Sequence, residues 1–420
     1  MTYENMRDSG FPWIGKIPDH WHLTKTLHCL SMAITDGPHT TPALYDNGVP
    51  FISAEAVSCG NGRIDFSHMR GYISEEFYAE CCKKYIPQID DVYMIKSGAT
   101  TGRVAIVDTN ERFTIWSPLA VFRANPDRVL PKFLFYALQS ESYQKQVELG
   151  WTYGTQQNIG MRTLETLTIC LPPLGEQDAI VSYLDRQCAT TDSIIEDAKA
   201  SIEDYKRWKA SMIYQAVTKG LNPNADMRES GIDIVGIVPA DWQMVRLRFL
   251  CNVMTGDQDT QNAVPDGNYP FYVRSPIVER ADTFTFEGES VLMAGDGVGA
   301  GKVFHYAKGK YAIHQRVYCF YNFRNIKPSF FYYYMSNLFS TEIDKGSAKS
   351  TVPSVRLPML SNFRIALPSI QEQDAICEYL DKRTEQIDAI IAEKQSIIAE
   401  LEAYKKSLIY ETVTGKRKAE

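Results

Sequence analysis

The feature that most constrains the fold of this chain is an internal copy: residues 171–220 recur without a gap at 367–416, an offset of 367 − 171 = 196. Twenty of the fifty aligned positions are identical, among them Glu176-Gln177-Asp178-Ala179-Ile180 against Glu372-Gln373-Asp374-Ala375-Ile376 and Tyr183-Leu184-Asp185 against Tyr379-Leu380-Asp381. Agreement at that level is a duplication. Each copy opens on a Leu-Pro pair, Leu171-Pro172 and Leu367-Pro368, and then runs for about forty residues without Gly or Pro, which predicts one long helix per copy.

In the second copy Leu380, Ile387, Ile390, Lys394, Ile397, Leu401, Tyr404 and Leu408 fall at steps of three, four or seven, the a/d stripe of a heptad repeat. The first copy places Leu184, Thr191, Ile194, Ala198, Ser201, Tyr205, Trp208 and Met212 at the same positions. Charges fill the other faces, so each helix calls for one partner helix, and the two copies are expected to pair with each other. Chain order makes that pair antiparallel, a rod of roughly 60 Å with a globule at each end.

A second repeat frames the globules. Asp8-Ser9-Gly10 with Gly15-Lys16-Ile17-Pro18-Asp19-His20-Trp21 matches Glu229-Ser230-Gly231 with Gly236-Ile237-Val238-Pro239-Ala240-Asp241-Trp242, at an offset of 242 − 21 = 221. Since Phe135-Tyr136 and Phe331-Tyr332 already obey the offset of 196, the second globule must lack 221 − 196 = 25 residues upstream of about position 131. Strand patterns appear at Val49-Pro50-Phe51-Ile52-Ser53, Asp91-Val92-Tyr93-Met94-Ile95 and Arg103-Val104-Ala105-Ile106-Val107. Their counterparts are Tyr269-Pro270-Phe271-Tyr272-Val273, Ser290-Val291-Leu292-Met293 and Lys302-Val303-Phe304-His305-Tyr306. Aromatic helices follow over 133–147 and 329–343.

The expected class is therefore α+β: two globules in a pseudo-two-fold arrangement, each with a curved and mostly antiparallel sheet, joined by two long antiparallel coiled-coil helices. The expected boundaries are 1–170 for the first globule, 171–221 for the first spacer helix, 222–366 for the second globule and 367–420 for the second helix. Pseudo-two-fold proteins suit partners or targets that come in two halves.

Composition narrows the function. The net charge is −7, but Lys and Arg minus Asp and Glu give 13 − 15 = −2 over 22–170, 7 − 12 = −5 over 171–241, 14 − 10 = +4 over 243–366 and 8 − 11 = −3 over 367–420. Acid sits on the helices and the second globule is basic, which argues against simple polyanion binding by the whole surface. Nine cysteines without a C-x-x-C spacing predict buried thiols in a reducing cytoplasm, not a disulfide framework or zinc site. Neither a signal-peptide pattern nor an apolar run of membrane length occurs, so the chain is expected off the membrane.

Gly295-Asp296-Gly297-Val298-Gly299-Ala300-Gly301-Lys302 invites a phosphate-loop reading that fails on spacing, because Asp296 stands where a glycine is required and Val303 where Ser or Thr would hold Mg²⁺. The equivalent Lys96-Ser97-Gly98-Ala99-Thr100-Thr101-Gly102-Arg103 shares two glycines and the following basic residue. Either this is a tight turn between strands, or the turn also brings Arg103 or Lys302 to a DNA phosphate. Asp36-Gly37-Pro38-His39-Thr40-Thr41-Pro42 packs turn formers around a histidine and two hydroxyls, and lone His39 is a poor metal ligand. Two polar segments precede the long helices, Gly150-Trp151-Thr152-Tyr153-Gly154-Thr155-Gln156-Gln157-Asn158 and Gly346-Ser347-Ala348-Lys349-Ser350-Thr351. Gln and Asn suit bidentate bonding to adenine, while Lys and hydroxyls suit guanine or phosphate, though a solvated loop is the competing reading. Methyltransfer, nuclease, dinucleotide and paired metal motifs are absent from the sequence, so no catalytic role is expected.

With these features assembled, the chain resembles the specificity subunits of Type I restriction-modification systems. The resemblance rests on the two Ser-Gly…Pro…Trp openings, the Asp36–Pro42 loop and the Leu-Pro-Pro-Leu-Gly-Glu-Gln run at 171–177 with its partner at 367–373, and it covers essentially the whole chain. It implies two domains that each read half of a bipartite double-stranded DNA target. It further implies two methyltransferase subunits docked on the helices, with S-adenosylmethionine, and restriction subunits with ATP and Mg; none of these cofactors would belong to this chain. The second globule departs from the pattern, offering Thr255-Gly256-Asp257-Gln258-Asp259-Thr260 in place of the Asp36–Pro42 loop, so its readout should differ. The residues expected to contact DNA are His39, Thr40, Thr41, Lys96, Ser97, Thr100, Thr101, Arg103, Thr152, Tyr153, Gln156, Gln157 and Asn158 in the first globule, and Lys302, Lys349 and Ser350 in the second. Two rival readings are a coiled-coil scaffold whose globules bind protein or glycan, and an enzyme with an unrecognised motif.

Overall fold

A computed structural model describes residues 3–153, 157–346 and 354–419. The chain divides into two compact units, Met1–Asp197 with Ser396–Glu420 and Ala198–Gln395. Each unit thus holds the beginning of one long helix and the end of the other. The helices are Leu174–Lys219 and Ile370–Val413.

In the first unit the opening residues form a hairpin, Met6–Asp8 against Lys16–Pro18. Strand His22–Lys25 then pairs with Thr168–Leu171, the strand that runs into the first long helix. Between these lies a four-stranded antiparallel sheet in the spatial order Thr35–Asp36, Leu119–Phe122, Val92–Ile95, Val104–Ile106. A three-stranded sheet beside it holds Gly71–Ile73, Val49–Ile52 and Thr114–Ile115, the last two parallel. Val92–Ile95 and Leu119–Phe122 are buried on both faces, which is why they read as continuous apolar runs without alternation.

The second unit repeats this plan with one six-stranded sheet in the order Asn252–Thr255, Val317–Tyr321, Phe286–Ala294, Phe304–Ile313, Tyr269–Tyr272, Glu279–Ala281. Its single parallel pair, Phe271 opposite Ala312, matches Phe51 opposite Thr114 in the first. The shortfall of 25 residues can now be placed. Offsets fall from 221 at the tryptophans to 220 at Phe51/Phe271, 199 at Gly98/Gly297 and 196 at Phe135/Phe331, so 220 − 199 = 21 of them lie between the Val49–Ile52 and Val92–Ile95 strands. Helices Ala54–Cys59 and Glu75–Cys82 occupy that interval in the first unit.

The aromatic helix expected over 133–147 is in fact two, Pro131–Gln139 and Glu141–Leu149. Ser140 breaks it: extended at ψ 148, it caps the second helix by accepting the Tyr143 amide. The second unit keeps one helix, Pro328–Gly346.

The long helices pair antiparallel within each unit. Lys405 Nζ bridges Asp192 at 2.6 Å in the first unit, and Lys209 Nζ bridges Asp388 at 2.6 Å in the second. The sums agree, 192 + 405 = 209 + 388 = 597, so one register serves both. The seam, however, differs from the expected stripe at alternate positions. Buried or half-buried residues run Leu184, Cys188, Thr191, Ile195, Ala198, Ile202, Tyr205, Lys209, Met212 and, in the other helix, Leu380, Thr384, Ile387, Ile391, Lys394, Ile398, Leu401, Lys405, Leu408. Ile194, Trp208, Ile397 and Tyr404 are instead exposed by 41 to 53%. Stepping four and then three from Thr191 and Ile387, rather than three and then four, keeps the stripe on the partner's side. Sequence spacing permits either choice.

All nine cysteines are free; Cys59 is exposed and Cys82 half-exposed, and the other seven are buried as expected. Among the described residues no helix is long and apolar enough to cross a membrane, and no three His, Cys, Asp or Glu side chains group as metal ligands.

Candidate nucleic-acid interface

The duplicated residues prove to be docking hardware. Trp21 Nε1 donates to Glu176 Oε2 at 3.0 Å, and Trp242 Nε1 to Glu372 Oε2 at 3.0 Å. The next residue of each helix does as much: Gln177 Oε1 accepts the Leu130 amide and its Nε2 donates to the Arg128 and Pro172 carbonyls. Gln373 repeats this with the Lys327 amide and the Asn325 and Pro368 carbonyls. Both glutamines are fully buried, so their amides must find such partners. The far end of the other helix closes each unit, because Tyr410 donates to the Ile14 carbonyl at 3.3 Å and Tyr214 to that of Val235 at 3.1 Å.

What these anchors hold in place is a face where three of the segments singled out in the sequence meet. Strands Val92–Ile95 and Val104–Ile106 are joined by the glycine turn, closed by the Gly102 amide on the Ile95 carbonyl at 2.8 Å. Gly98 at φ +104 and Gly102 at φ +96 supply the left-handed positions it needs. Onto this turn folds the hairpin of Thr152–Tyr153 with Gln157–Asn158: Ser97 bridges Asn158, and the Gly98 amide donates to the Gln157 carbonyl at 3.0 Å. The third segment arrives through Asp36. Its carboxylate is 1% exposed, and it is approached by the Lys84 ammonium, by Lys96 Nζ at 3.3 Å and by His39 Nε2 at 3.1 Å. Burial alone would raise the Asp36 pKa, but Lys84 and Lys96 outweigh it and hold the carboxyl below its ordinary value.

Gly37 lets this loop lie against the sheet, since a Cβ there would sit 2.0 Å from the Ile115 carbonyl oxygen. Gly256 makes the same approach to Ile313, also at 2.0 Å, so the two loops are structural equivalents despite their different sequences.

His39, Thr40 and Thr41 are exposed at the loop tip. Arg103 is exposed and donates to the Ser58 carbonyl at 2.8 Å. Lys96 faces Asp36 and Thr101 donates to the Gly98 carbonyl at 2.7 Å, so both also serve the turn itself. Ser97 and Thr100 are half-exposed, and Thr152, Gln157 and Asn158 are exposed. Gln156 and the side chain of Tyr153 lie outside the described residues.

The second unit builds the same junction. Its turn bridges the chain at Asp296 and Ser354, the positions that match Ser97 and Asn158, and the Val355 amide donates to the Gly295 carbonyl at 2.8 Å. Lys302 is exposed beside it, and Lys349 and Ser350 fall outside the described residues. The sequence reading passed over the charges here. Asp296 holds two guanidiniums, Arg274 Nη1 at 2.9 Å and Arg316 Nη1 at 2.7 Å, and their side chains are 45 and 60% exposed. Nothing in the spacing of 274, 296 and 316 marks them, because three separate strand ends bring them together. Lys84 was equally invisible.

Comparison with known proteins agrees with this architecture. A solved chain described under complex assembly and conformational transition of the type I R-M system superposes with a TM-score of 0.71 at 18% identity, covering 96% of this chain and 99% of that one, a likeness of fold. The family described as Type I restriction modification DNA specificity domain matches residues 38–204 and again 239–403, and the chain belongs to that family. Among relatives, the MjaVIII type I restriction enzyme specificity subunit of Methanocaldococcus jannaschii is 26% identical over 376 residues, spanning 83% of this chain and 84% of the relative. The putative MjaX specificity subunit of the same organism is 25% identical over 422 residues, spanning 96% and 95%.

Proposed function

We propose that this chain is the DNA sequence-recognition subunit of a Type I restriction-modification complex, each globule reading one half of a bipartite target while the long helices dock methyltransferase subunits and set the gap. The observation that carries this is the repeated junction: in both units the glycine turn, the segment before the long helix and the glycine loop of the first strand converge on one charged, hydroxyl-rich face. Within it, Arg103 and Lys302 suit phosphates, which fix register without reading sequence. Gln156, Gln157 and Asn158 suit adenine edges, and His39, Thr40, Thr41, Thr100 and Thr152 supply further donors and acceptors in the first half-site. Arg274 and Arg316, aligned by Asp296, suit a guanine of the second half-site, where Lys349 and Ser350 would add contacts. Chemistry then belongs to other chains: S-adenosylmethionine to the methyltransferase subunits, ATP and Mg to the restriction subunits. This chain supplies position and no catalytic group.

Exchanging residues 22–170 for the equivalent globule of a relative tests the assignment. Methylated-base sequencing should show one half of the target replaced and the other retained. Replacement of both halves together would end the reading of two independent globules.

A further inference from the structure

The second unit carries an apolar side chain that its fold does not use. Val298 is 95% exposed, more than any other large hydrophobic among the described residues, so its isopropyl group contributes almost nothing to folding. It stands at the apex of the turn joining strands Phe286–Ala294 and Phe304–Ile313, between Gly297 and Gly299, and neither neighbour has a side chain to cover it. The turn is closed by the Gly301 amide on the Ala294 carbonyl at 2.8 Å and by the Ala300 amide on the Gly297 carbonyl at 3.0 Å. Gly297 supplies the left-handed conformation it needs, at φ +76. At the matching position the first unit has Ala99, also exposed but with a single methyl.

Beside this apex stand the two guanidiniums. A Cβ on Gly299 would lie 2.8 Å from the Arg274 carbonyl oxygen, and one on Gly297 would lie 3.8 Å from Arg274 Nη1, so the turn and Arg274 are held close. Arg274 and Arg316 each commit Nη1 to Asp296, and no acceptor among the described residues meets Nε or Nη2 of either. With Lys302, these side chains give the tip a balance of 3 − 1 = +2. Asp257 and Asp259 lie on the neighbouring loop, where Asp259 accepts the Thr260 amide at 2.6 Å and the Gln315 side-chain amide at 2.8 Å.

Arginine donors next to a bare isopropyl group match a pattern that the major groove offers. Guanine presents N7 and O6, the acceptors an arginine takes, and thymine alone of the four bases presents a methyl group, at C5. Adjacent residues lie about 3.8 Å apart and adjacent base pairs about 3.4 Å, so neighbouring side chains meet neighbouring bases. We infer that Val298 reads the C5 methyl of a thymine within two base pairs of the guanine taken by Arg274 and Arg316, and is thereby a specificity-determining residue of the second half-site. Cytosine or a purine at that position offers no methyl and sets the isopropyl group against polar edges. This rests on the specificity-subunit reading above and names one base that the second globule selects.

The test uses the full chain assembled with its own modification subunit. Methylated-base sequencing gives the target, and the half retained when residues 22–170 are exchanged is the second half-site. Each thymine of that half is replaced in turn by deoxyuridine, which removes the C5 methyl and nothing else, and binding of the complex to each duplex is titrated. One replacement should weaken wild-type binding by about fourfold, the worth of one buried methyl. V298A should bind the thymine and deoxyuridine duplexes equally. I277A, which truncates the 73%-exposed side chain three residues after Arg274, should keep the fourfold difference. R274A should relax selection of a guanine within two base pairs of that thymine. Urea unfolding of V298A should match wild type, since the side chain packs on nothing. Three results overturn the inference: a wild-type complex indifferent to every replacement, a thymine preference that V298A retains, or a second half-site with no thymine so placed. Absence of any bipartite methylation that depends on this chain would instead sink the specificity-subunit reading itself.

Discussion

Asp36 illustrates how one residue can set the geometry of a whole charged face. A carboxylate buried without cations would cost several kcal/mol, so Lys84, Lys96 and His39 are drawn to it and oriented by it. The same division of labour recurs at Asp296 with Arg274 and Arg316. Asp36→Asn should therefore destabilise the first unit by about 1–3 kcal/mol in urea unfolding, because two ammonium groups lose their acceptor. The pH dependence has a definite sign. With a folded pKa below the ordinary 3.8, the contribution of Asp36 is complete above that value and disappears as pH falls through the depressed one. The asparagine variant should lack this part of the acid slope; an unchanged slope would mean that Asp36 is not the organising charge. At other positions the residue scale is plainly structural: Trp21 and Trp242 are fully buried, and truncating either to alanine removes contacts of the order of 3–5 kcal/mol.

At the scale of elements, the long helices act through register. The first unit pairs the beginning of the first helix with the end of the second, the second unit pairs the remaining parts, and the sum of 597 holds in both. Four residues inserted after Ala200 and four more after Ser396 leave every such pair intact within its unit, whereas either insertion alone forces one pairing to slip by half a heptad. Each four-residue insertion adds about 6 Å of helix, close to two base-pair rises of about 3.4 Å. The double variant should stay folded and methylate targets with a gap longer by roughly one or two base pairs and both half-sites unchanged. The single insertions should lower thermal stability. An active double variant that keeps the original gap would show that the helices are not the ruler.

At the scale of the whole molecule, the charge distribution is the deciding quantity. A chain of net charge −7 whose helix-bearing segments carry −5 and −3 is poorly suited to grip a duplex alone, even with a second globule at +4. Affinity for cognate DNA should rise, and its dependence on salt steepen, when the modification subunit is added. Each extra phosphate contact contributes about 0.9 to the slope of log K against log salt. Equal slopes with and without that subunit would show that this chain neutralises the duplex unaided.

Much of this architecture was legible in the sequence because duplication and periodicity are local properties. The two copies at an offset of 196, the antiparallel helix pair, the strands flanking the glycine turns and the interval holding the 25 extra residues all follow from spacing, and the structure has each of them. The seam was half legible: positions such as Leu184 and Thr191 are certain, but whether three or four residues come next depends on where the partner helix lies. The charged face was hardest to see. Asp36 and Lys96, like Arg274, Asp296 and Arg316, are distant in sequence and meet because strands of one sheet end side by side, and Lys84 joins the first group from the turn after helix Glu75–Cys82. Local backbone preference and apolar periodicity are encoded where they act, whereas a buried charge acquires its partners only when the chain closes around it.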